Sequence, residues 1–127
     1  MPSSTVIPEL PYEELGEAIE WLTAAFGFRL RWSAGNHRAQ LAVGDGAVAL
    51  TDRGTPPVGV VVRVDDVDSH HERAQLHGAK IVRAPEDHPY GERQYTAEDP
   101  GGNHWTFSET IADVAPEEWG GSSGAIG

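Results

Sequence analysis

The chain has 127 residues, of which 39% are hydrophobic, so we expect one domain with a hydrophobic core. The sequence has no apolar run long enough to predict a membrane-spanning helix. Its formal net charge of −11 argues against a nucleic-acid partner, because phosphate binding needs clustered Lys and Arg, and it favours a cationic ligand. Cysteine is absent, which excludes disulfides, thiolate metal sites and a cysteine nucleophile, and together with an N-terminus unlike a signal peptide it predicts a cytoplasmic protein.

The first half of the chain has one clear helix, over residues 13–26. Apolar residues recur there at helical spacing, and Gly27 can end the helix in a left-handed cap. In the next segment Phe28, Leu30 and Trp32 alternate with polar residues, so we expect them on one face of a strand. The first half therefore reads β-α-β-β-β, with strands predicted over residues 5–10, 28–33, 38–43 and 47–51.

The second half repeats this order. Residues 58–64 form an almost continuous apolar run, which predicts a central strand covered on both faces. A helix follows, capped by Asp65-Asp66 and stopped by Gly78, with one histidine of His70-His71 facing inward and the other in solvent. A strand over residues 79–83 and a loop over residues 84–89 complete this stretch.

The hairpin over residues 89–107 closes the second half. Tyr95 and Ala97 alternate with polar residues before the turn, and Trp105 and Phe107 do so after it. The sequence Asp99-Pro100-Gly101-Gly102-Asn103 is typical of a turn. We expect the acidic residues beside that turn to be solvated carboxylates: Glu92, Glu98 and Asp99.

The two halves predict an α+β fold of two βαβββ modules, about residues 5–52 and 58–109, within one domain over residues 1–110. The helix-ending Gly27 and Gly78 lie 51 positions apart, which supports a structural repeat. Neither half is large enough to bury its sheet alone, so we expect a cupped mixed sheet that encloses a ligand cleft. The tail, residues 111–127, is expected to be partly disordered, with one helical turn at residues 116–119 and a frayed glycine-rich end.

The hairpin also carries a family resemblance. It combines Pro89-Tyr90-Gly91, Arg93 and Tyr95 with Asp99-Pro100 and Gly102-Asn103. This run resembles the vicinal-oxygen-chelate superfamily, which includes glyoxalase I, bleomycin-resistance proteins and extradiol dioxygenases. Residues 14–28 are similar to the family's first helix and following strand. The resemblance covers about residues 5–109 and implies paired βαβββ modules around a cleft, often within a homodimer.

Metal-dependent members of the superfamily place His, Gln or Glu at four inward strand positions. Carried over by strand register, the resemblance puts these positions at about Ile7, Ala49, Gly59 and Thr106. None of these side chains is a competent ligand for a divalent metal, and a shift of one residue does not rescue all four. We therefore predict no metal and no cofactor, which argues against a glyoxalase or dioxygenase mechanism of the family type.

The candidate ligand-binding residues are rings and polar side chains near the expected cleft. Aromatic walls bind planar rings with little loss of conformational entropy. Arg93 has two interpretations, a ligand contact or an ion pair within the fold. The full set is Trp32, Ala49, Gly59, His88, Tyr90, Arg93, His104 and Thr106.

The leading hypothesis is a metal-free binding protein of the bleomycin-resistance type, which sequesters an aromatic or cationic small molecule and is not an enzyme. The first alternative is a metal-dependent glyoxalase-like lyase or isomerase, or a dioxygenase, with a non-standard site built from His88, His104 and Glu92 or Glu98. The second alternative is a dimeric interaction module with a vestigial cleft. Whether the modules pair within one chain or swap between chains stays open at this point.

Overall fold

The computed structural model describes residues 6–54 and 56–119, and it has the predicted α+β architecture of two βαβββ modules. The first module contains β1 (Glu9–Pro11), α1 (Leu15–Phe26), β2 (Arg29–Ala34), β3 (Arg38–Val43) and β4 (Gly46–Thr51). The second contains β5 (Gly59–Arg63), α2 (Val67–Leu76), β6 (Lys80–His88), β7 (Glu92–Glu98) and β8 (His104–Thr110), and a 3₁₀ helix follows at Pro116–Trp119. The predicted frayed end, residues 120–127, lies outside the described residues.

Each module forms its own four-stranded mixed sheet. Sheet A has the strand order β1-β4-β3-β2, and sheet B has the order β5-β8-β7-β6. In each sheet the first strand of the module runs parallel to the last, and the remaining pairs are antiparallel. Neither helix of the described part of the chain is long and apolar enough to cross a membrane.

The predicted helix and hairpin patterns are confirmed. The apolar stripe of α1 is buried, and Gly27 ends the helix with a φ of 76°. On α2, the Asp66 carboxylate accepts a hydrogen bond from the Ser69 amide and caps the helix. In the hairpin the period-two alternation sends four side chains into the core, each with 0% exposure: Tyr95, Ala97, Trp105 and Phe107.

One core joins the two modules. The Phe26 ring, at the end of α1, lies 5.7 Å from the Trp105 ring and 4.8 Å from the Phe107 ring, measured between centroids. Between the helices, Arg73 Nε donates to the Ala24 carbonyl at 2.9 Å. These contacts come from the helix-covered sides of the sheets. The opposite face of each sheet, called its polar face below, therefore takes no part in joining the modules.

Three strand predictions are wrong in detail. The strand predicted over residues 5–10 begins only at Glu9. The apolar run at residues 58–64 forms β5, which is an edge strand and not a central one, and its Val61 is 70% exposed. The loop predicted over residues 84–89 is mostly strand, because β6 continues to His88 through two register shifts. Neither an apolar run nor a proline specifies which strand a segment pairs with. That pairing sets the start of β1, the edge position of β5 and the length of β6.

The predicted common face of Phe28, Leu30 and Trp32 is also wrong. Leu30 pairs with Leu41, but a register shift follows, and Trp32 pairs with Gln40. Directly paired residues share a face, so the irregularity turns Trp32 to the polar face of sheet A.

Both histidines of the α2 pair are half-buried, so the prediction that one is solvated is wrong. His70 faces the core, where its ring lies 3.9 Å from the Phe107 ring and its Nδ1 is hydrogen-bonded to the Tyr95 hydroxyl. Burial lowers the pKa of His70 to about 4, and the nearby Arg73 charge acts in the same direction. Burial also raises the pKa of the Tyr95 hydroxyl, which stays protonated.

His70 predicts an acid-sensitive fold. The unfolded chain binds a proton at His70 below its ordinary pKa of 6.5, whereas the folded chain binds it only near pH 4. Stability is therefore complete above pH 6.5 and falls as the pH drops towards 4, by about 1–2 kcal/mol after allowance for partial exposure. We expect His70→Gln to flatten this slope, measured as the urea-unfolding free energy at pH 7 and pH 5. The exposed His77→Gln is the control, and an unchanged slope in His70→Gln would contradict the assignment.

Candidate functional site

The polar face of sheet B carries a connected set of hydrogen bonds. The alternation that buries Tyr95 and Trp105 turns their neighbours to this face. Thr96 and Thr106 hydroxyls lie 2.8 Å apart across the strands. At the open end of the hairpin a chain of donors runs to one carboxylate: Gln94 Nε2 donates to Ser108 Oγ at 3.0 Å, and Ser108 Oγ donates to Glu92 Oε1 at 2.7 Å.

Two rings stand where β6 turns into β7. The His88 and Tyr90 rings stack with centroids 5.0 Å apart and planes 11° from parallel. The Tyr90 hydroxyl donates to Gln94 Oε1 at 2.9 Å, which links the rings to the chain of donors. A small cavity of about 70 Å³ opens on this face, and its lining includes His88, Gln94, Thr96 and Thr106.

The polar face of sheet A is built around one row of paired residues. Glu9 pairs with Ala49, Ala49 with Gln40, and Gln40 with Trp32. Ala42 and Ala47 pair with each other on the same face, and each is buried at 5% exposure. Glu9 Oε2 accepts a hydrogen bond from Arg38 at 3.1 Å, and Trp32 is 42% exposed at the far edge.

Strand pairing shows which residues lie level with Ala49 and with Thr106. Because β1 runs parallel to β4, the residue level with Ala49 is Glu9 and not Ile7. The residue level with Thr106 is Val61 and not Gly59, which pairs with His104. Two pairs of residues, Glu9 and Ala49 on the polar face of sheet A and Val61 and Thr106 on that of sheet B, are together called the central row below.

This central row does not fit a divalent metal. It offers one carboxylate, which is paired with Arg38, and the other three side chains are a methyl group, an isopropyl group and a hydroxyl. A bound divalent metal needs three or four imidazole, carboxylate or carbonyl donors together. Among residues 6–54 and 56–119, no group of three His, Asp or Glu side chains could hold a metal ion.

The alternative site built from His88 and His104 is not assembled either. His88 pairs with Glu92 at one end of β7, and His104 pairs with Glu98 at the other end. Six residues of strand separate these ends by roughly 20 Å. His104 Nε2 instead lies 3.2 Å from Glu98 Oε1, so the two histidines cannot share one ion.

Arg93 lies on the helix-covered side of sheet B, away from the polar face. Its guanidinium is paired with Asp87 at 2.9 Å and with Asp68 of α2 at 3.0 Å. The hydrogen bonds to Asp87 and Asp68 raise the pKa of Arg93. This geometry favours an ion pair within the fold over a ligand contact.

The other predicted ligand-binding residues fall into two groups. Trp32 and Ala49 share the polar face of sheet A, whereas His88, Gly59, His104 and Thr106 share that of sheet B, with Tyr90 at its edge. The structure does not bring the groups together, because the modules are joined through their helix-covered sides. A larger cavity, of about 460 Å³, lies elsewhere, beside the start of α1, and its lining includes Tyr12, Glu13, Arg53 and Pro100.

Asp99 is the main residue that sequence reasoning misjudged. Its side chain is buried at 4% exposure instead of solvated. The carboxylate accepts hydrogen bonds from the Tyr12 hydroxyl at 2.5 Å and from Trp105 Nε1 at 2.8 Å. Burial, together with the Asp99 charge, strongly raises the pKa of the Tyr12 hydroxyl. The Asp99 turn therefore fastens the second module to the start of the first.

Comparison with known proteins decides the family. Residues 6–107 match the model of the Glyoxalase/Bleomycin resistance protein/Dioxygenase superfamily. The chain belongs to this superfamily. Three features are consistent with that membership: the two modules, the parallel pairing of the first and last strand of each module, and the resemblance of the hairpin.

Solved structures of the superfamily are similar over most of the chain. TioX from Micromonospora sp. ML1 is 34% identical with a TM-score of 0.76, over 86% of this chain and 100% of that one. A glyoxalase/bleomycin resistance protein from Streptomyces sp. CB03234 is 25% identical with a TM-score of 0.70, over 81% of this chain and 97% of that one.

Among curated proteins, an uncharacterized protein of Mycobacterium tuberculosis is 35% identical over 75 residues, which are 59% of this chain and 44% of that protein. An uncharacterized protein of Mycobacterium bovis matches at the same identity, over 49% of its length. The matches thus span about half the length of these curated relatives.

Proposed function

We propose that this chain is a metal-free small-molecule-binding protein of the bleomycin-resistance type, which sequesters a planar aromatic cation without bond chemistry. The observation that carries the proposal is the central row of the polar faces. Ala49, Val61 and Thr106 supply apolar contacts and one hydroxyl where a metal site would need donors. A row of this kind suits a ligand held by contact area and a few hydrogen bonds.

Trp32 supports an aromatic ligand. Its indole is 42% exposed on the polar face of sheet A. A large, partly exposed ring offers a stacking surface for a planar group. The net charge of −11 favours a cation by long-range attraction, and Glu9, Glu92 and Glu98 place carboxylates on the two polar faces.

We further propose that the cleft forms between two copies of the chain. Within one copy the polar face of sheet A does not cover that of sheet B, and Val61 on the polar face of sheet B is 70% exposed. Placing sheet A of one copy against sheet B of a second would cover both faces and create two equivalent clefts by two-fold symmetry. Trp32 of one copy would then face Thr106 and Tyr90 of the other.

Trp32→Ala tests the site. We expect the affinity for bleomycin or ethidium, measured by calorimetric titration, to fall about tenfold or more, because the stacking surface is lost. Leu30→Ala is the matched control. Leu30 lies on the same strand as Trp32 and is exposed to a similar extent, but it precedes the register shift and therefore lies on the opposite face of sheet A. The control should bind like the unsubstituted chain.

Three outcomes would contradict the proposal. The first is failure of the chain to bind any planar cation. The second is stoichiometric zinc, nickel or iron in protein purified without chelator, which would favour a metal-dependent lyase or dioxygenase. The third would contradict only the two-copy cleft: sedimentation equilibrium would show that the chain is a monomer at a concentration where it binds the ligand.

A further inference from the structure

The turn between β6 and β7 places two candidate ligand-binding rings. His88 pairs with Glu92 across a three-residue loop of Pro89, Tyr90 and Gly91. The Gly91 amide donates to the His88 carbonyl at 3.0 Å, and Gly91 has a φ of 84°. A turn followed by a left-handed glycine is a common three-residue hairpin, and proline presets its first dihedral angle.

The chain that follows β8 lies directly against this turn. Residues 111–114 are called the C-terminal strap below. The amides of Ile111 and Ala112 both donate to the Gly91 carbonyl, at 2.9 Å and 3.2 Å. A Cβ on Gly91 would lie 2.2 Å from the Ala112 carbonyl oxygen and 3.2 Å from Val114 Cγ2. Contact this close is possible only because residue 91 has no side chain.

The turn passes this restraint to the polar face of sheet B. Tyr90 directly precedes the restrained Gly91, and its ring stacks on that of His88. Its hydroxyl donates to Gln94, whose amide donates to Ser108, whose hydroxyl in turn donates to Glu92. Movement of the turn would therefore displace the ring stack and remove the first donor of the chain.

We propose that the C-terminal strap positions Tyr90 and His88 at the polar face of sheet B and thereby sets the affinity for a ring-bearing ligand. Ile111 and Ala112 act as positioning residues through their amides, and Gly91 is the point of contact. The ligand part of this inference rests on the proposed function, whereas the structural part does not.

Ile111→Pro removes the 2.9 Å donor to Gly91, and Ile111→Val keeps it. We expect Ile111→Pro to lose the nuclear Overhauser contacts between the His88 and Tyr90 rings and to bind ethidium about tenfold more weakly, the usual effect of about one hydrogen bond. Ile111→Val should keep both. Ala112→Pro against Ala112→Ser repeats the comparison at the second amide.

The two readouts separate this inference from the proposed function. If the unsubstituted chain binds neither ethidium nor any other planar cation, the proposed function fails and the ring contacts alone decide whether the strap positions Tyr90. Unchanged ring contacts and affinity in both proline variants would overturn the inference. Global unfolding of both proline variants would overturn it too, because the segment would then support the whole domain and not the turn.

Discussion

Replacing Asp99 with alanine is expected to lower the free energy of unfolding by about 3–5 kcal/mol. The buried carboxylate accepts hydrogen bonds from the Tyr12 hydroxyl at 2.5 Å and Trp105 Nε1 at 2.8 Å. It also accepts from the backbone amides of Gly101 at 2.9 Å and Asn103 at 3.0 Å. Alanine would leave these donors buried without an acceptor, and a charged acceptor makes stronger hydrogen bonds than a neutral one. Urea unfolding at pH 7 measures the loss.

The neighbouring Glu98→Gln is the control for Asp99. Glu98 is a partly exposed carboxylate paired with Lys80 and His104, so we expect a change below about 1 kcal/mol. A double-mutant cycle of Asp99→Asn with Tyr12→Phe should give a coupling free energy of about 1–3 kcal/mol, because the two side chains are in direct contact. A loss below about 1 kcal/mol in Asp99→Ala would show that the turn does not fasten the modules.

The role of Asp99 could not be predicted from its neighbours in the chain. Asp-Pro-Gly-Gly-Asn is typical of a turn, and a carboxylate in a surface turn is normally solvated. The decisive partner, Tyr12, is 87 positions away. Gly101 fits the same junction, since a Cβ there would lie 2.8 Å from the Pro11 carbonyl oxygen. Turn composition predicts a reversal of the chain, but only the packed fold shows what the turn contacts.

Features governed by local physical chemistry were predictable. The period of two in the hairpin separated Trp105 and Phe107 from His104 and Thr106, because successive side chains of a strand alternate between faces. Gly27 and Gly78 end their helices with φ values of 76° and 77°, a conformation in which glycine has little steric cost. These rules involve a few consecutive residues, so the sequence contains all that they need.

Features that depend on distant partners were not predictable. The parallel register of β1 with β4 places Glu9 level with Ala49. The polar orientation of Trp32 depends on a register shift against β3. β5 is as apolar as a central strand, yet it lies at the edge of sheet B, next to β8. In each case strand pairing, and not composition, decides which residues share a face and which strand lies at an edge.

Phe26→Ala is expected to lower the free energy of unfolding by about 3–5 kcal/mol, the usual range for removing a buried phenylalanine. The Phe26 ring contacts rings from both modules: Trp21 and Phe28 from the first, and His70, Trp105 and Phe107 from the second. Its loss would leave a cavity where the modules meet, and neighbouring rings held in two sheets could fill it only partly. The measurement is urea unfolding followed by tryptophan fluorescence and, separately, by far-ultraviolet circular dichroism.

The two probes make the Phe26 experiment specific for the joint between the modules. Loss of one shared core should destabilise both modules together, so the two transitions should remain coincident at a lower urea concentration. Leu30→Ala is the control, because Leu30 is 48% exposed and its truncation should cost less than about 1 kcal/mol. Separate transitions in Phe26→Ala would mean that each module has a core of its own. A loss as small as that of the control would mean that the hydrogen bonds of Asp99, and not the ring cluster, hold the modules together.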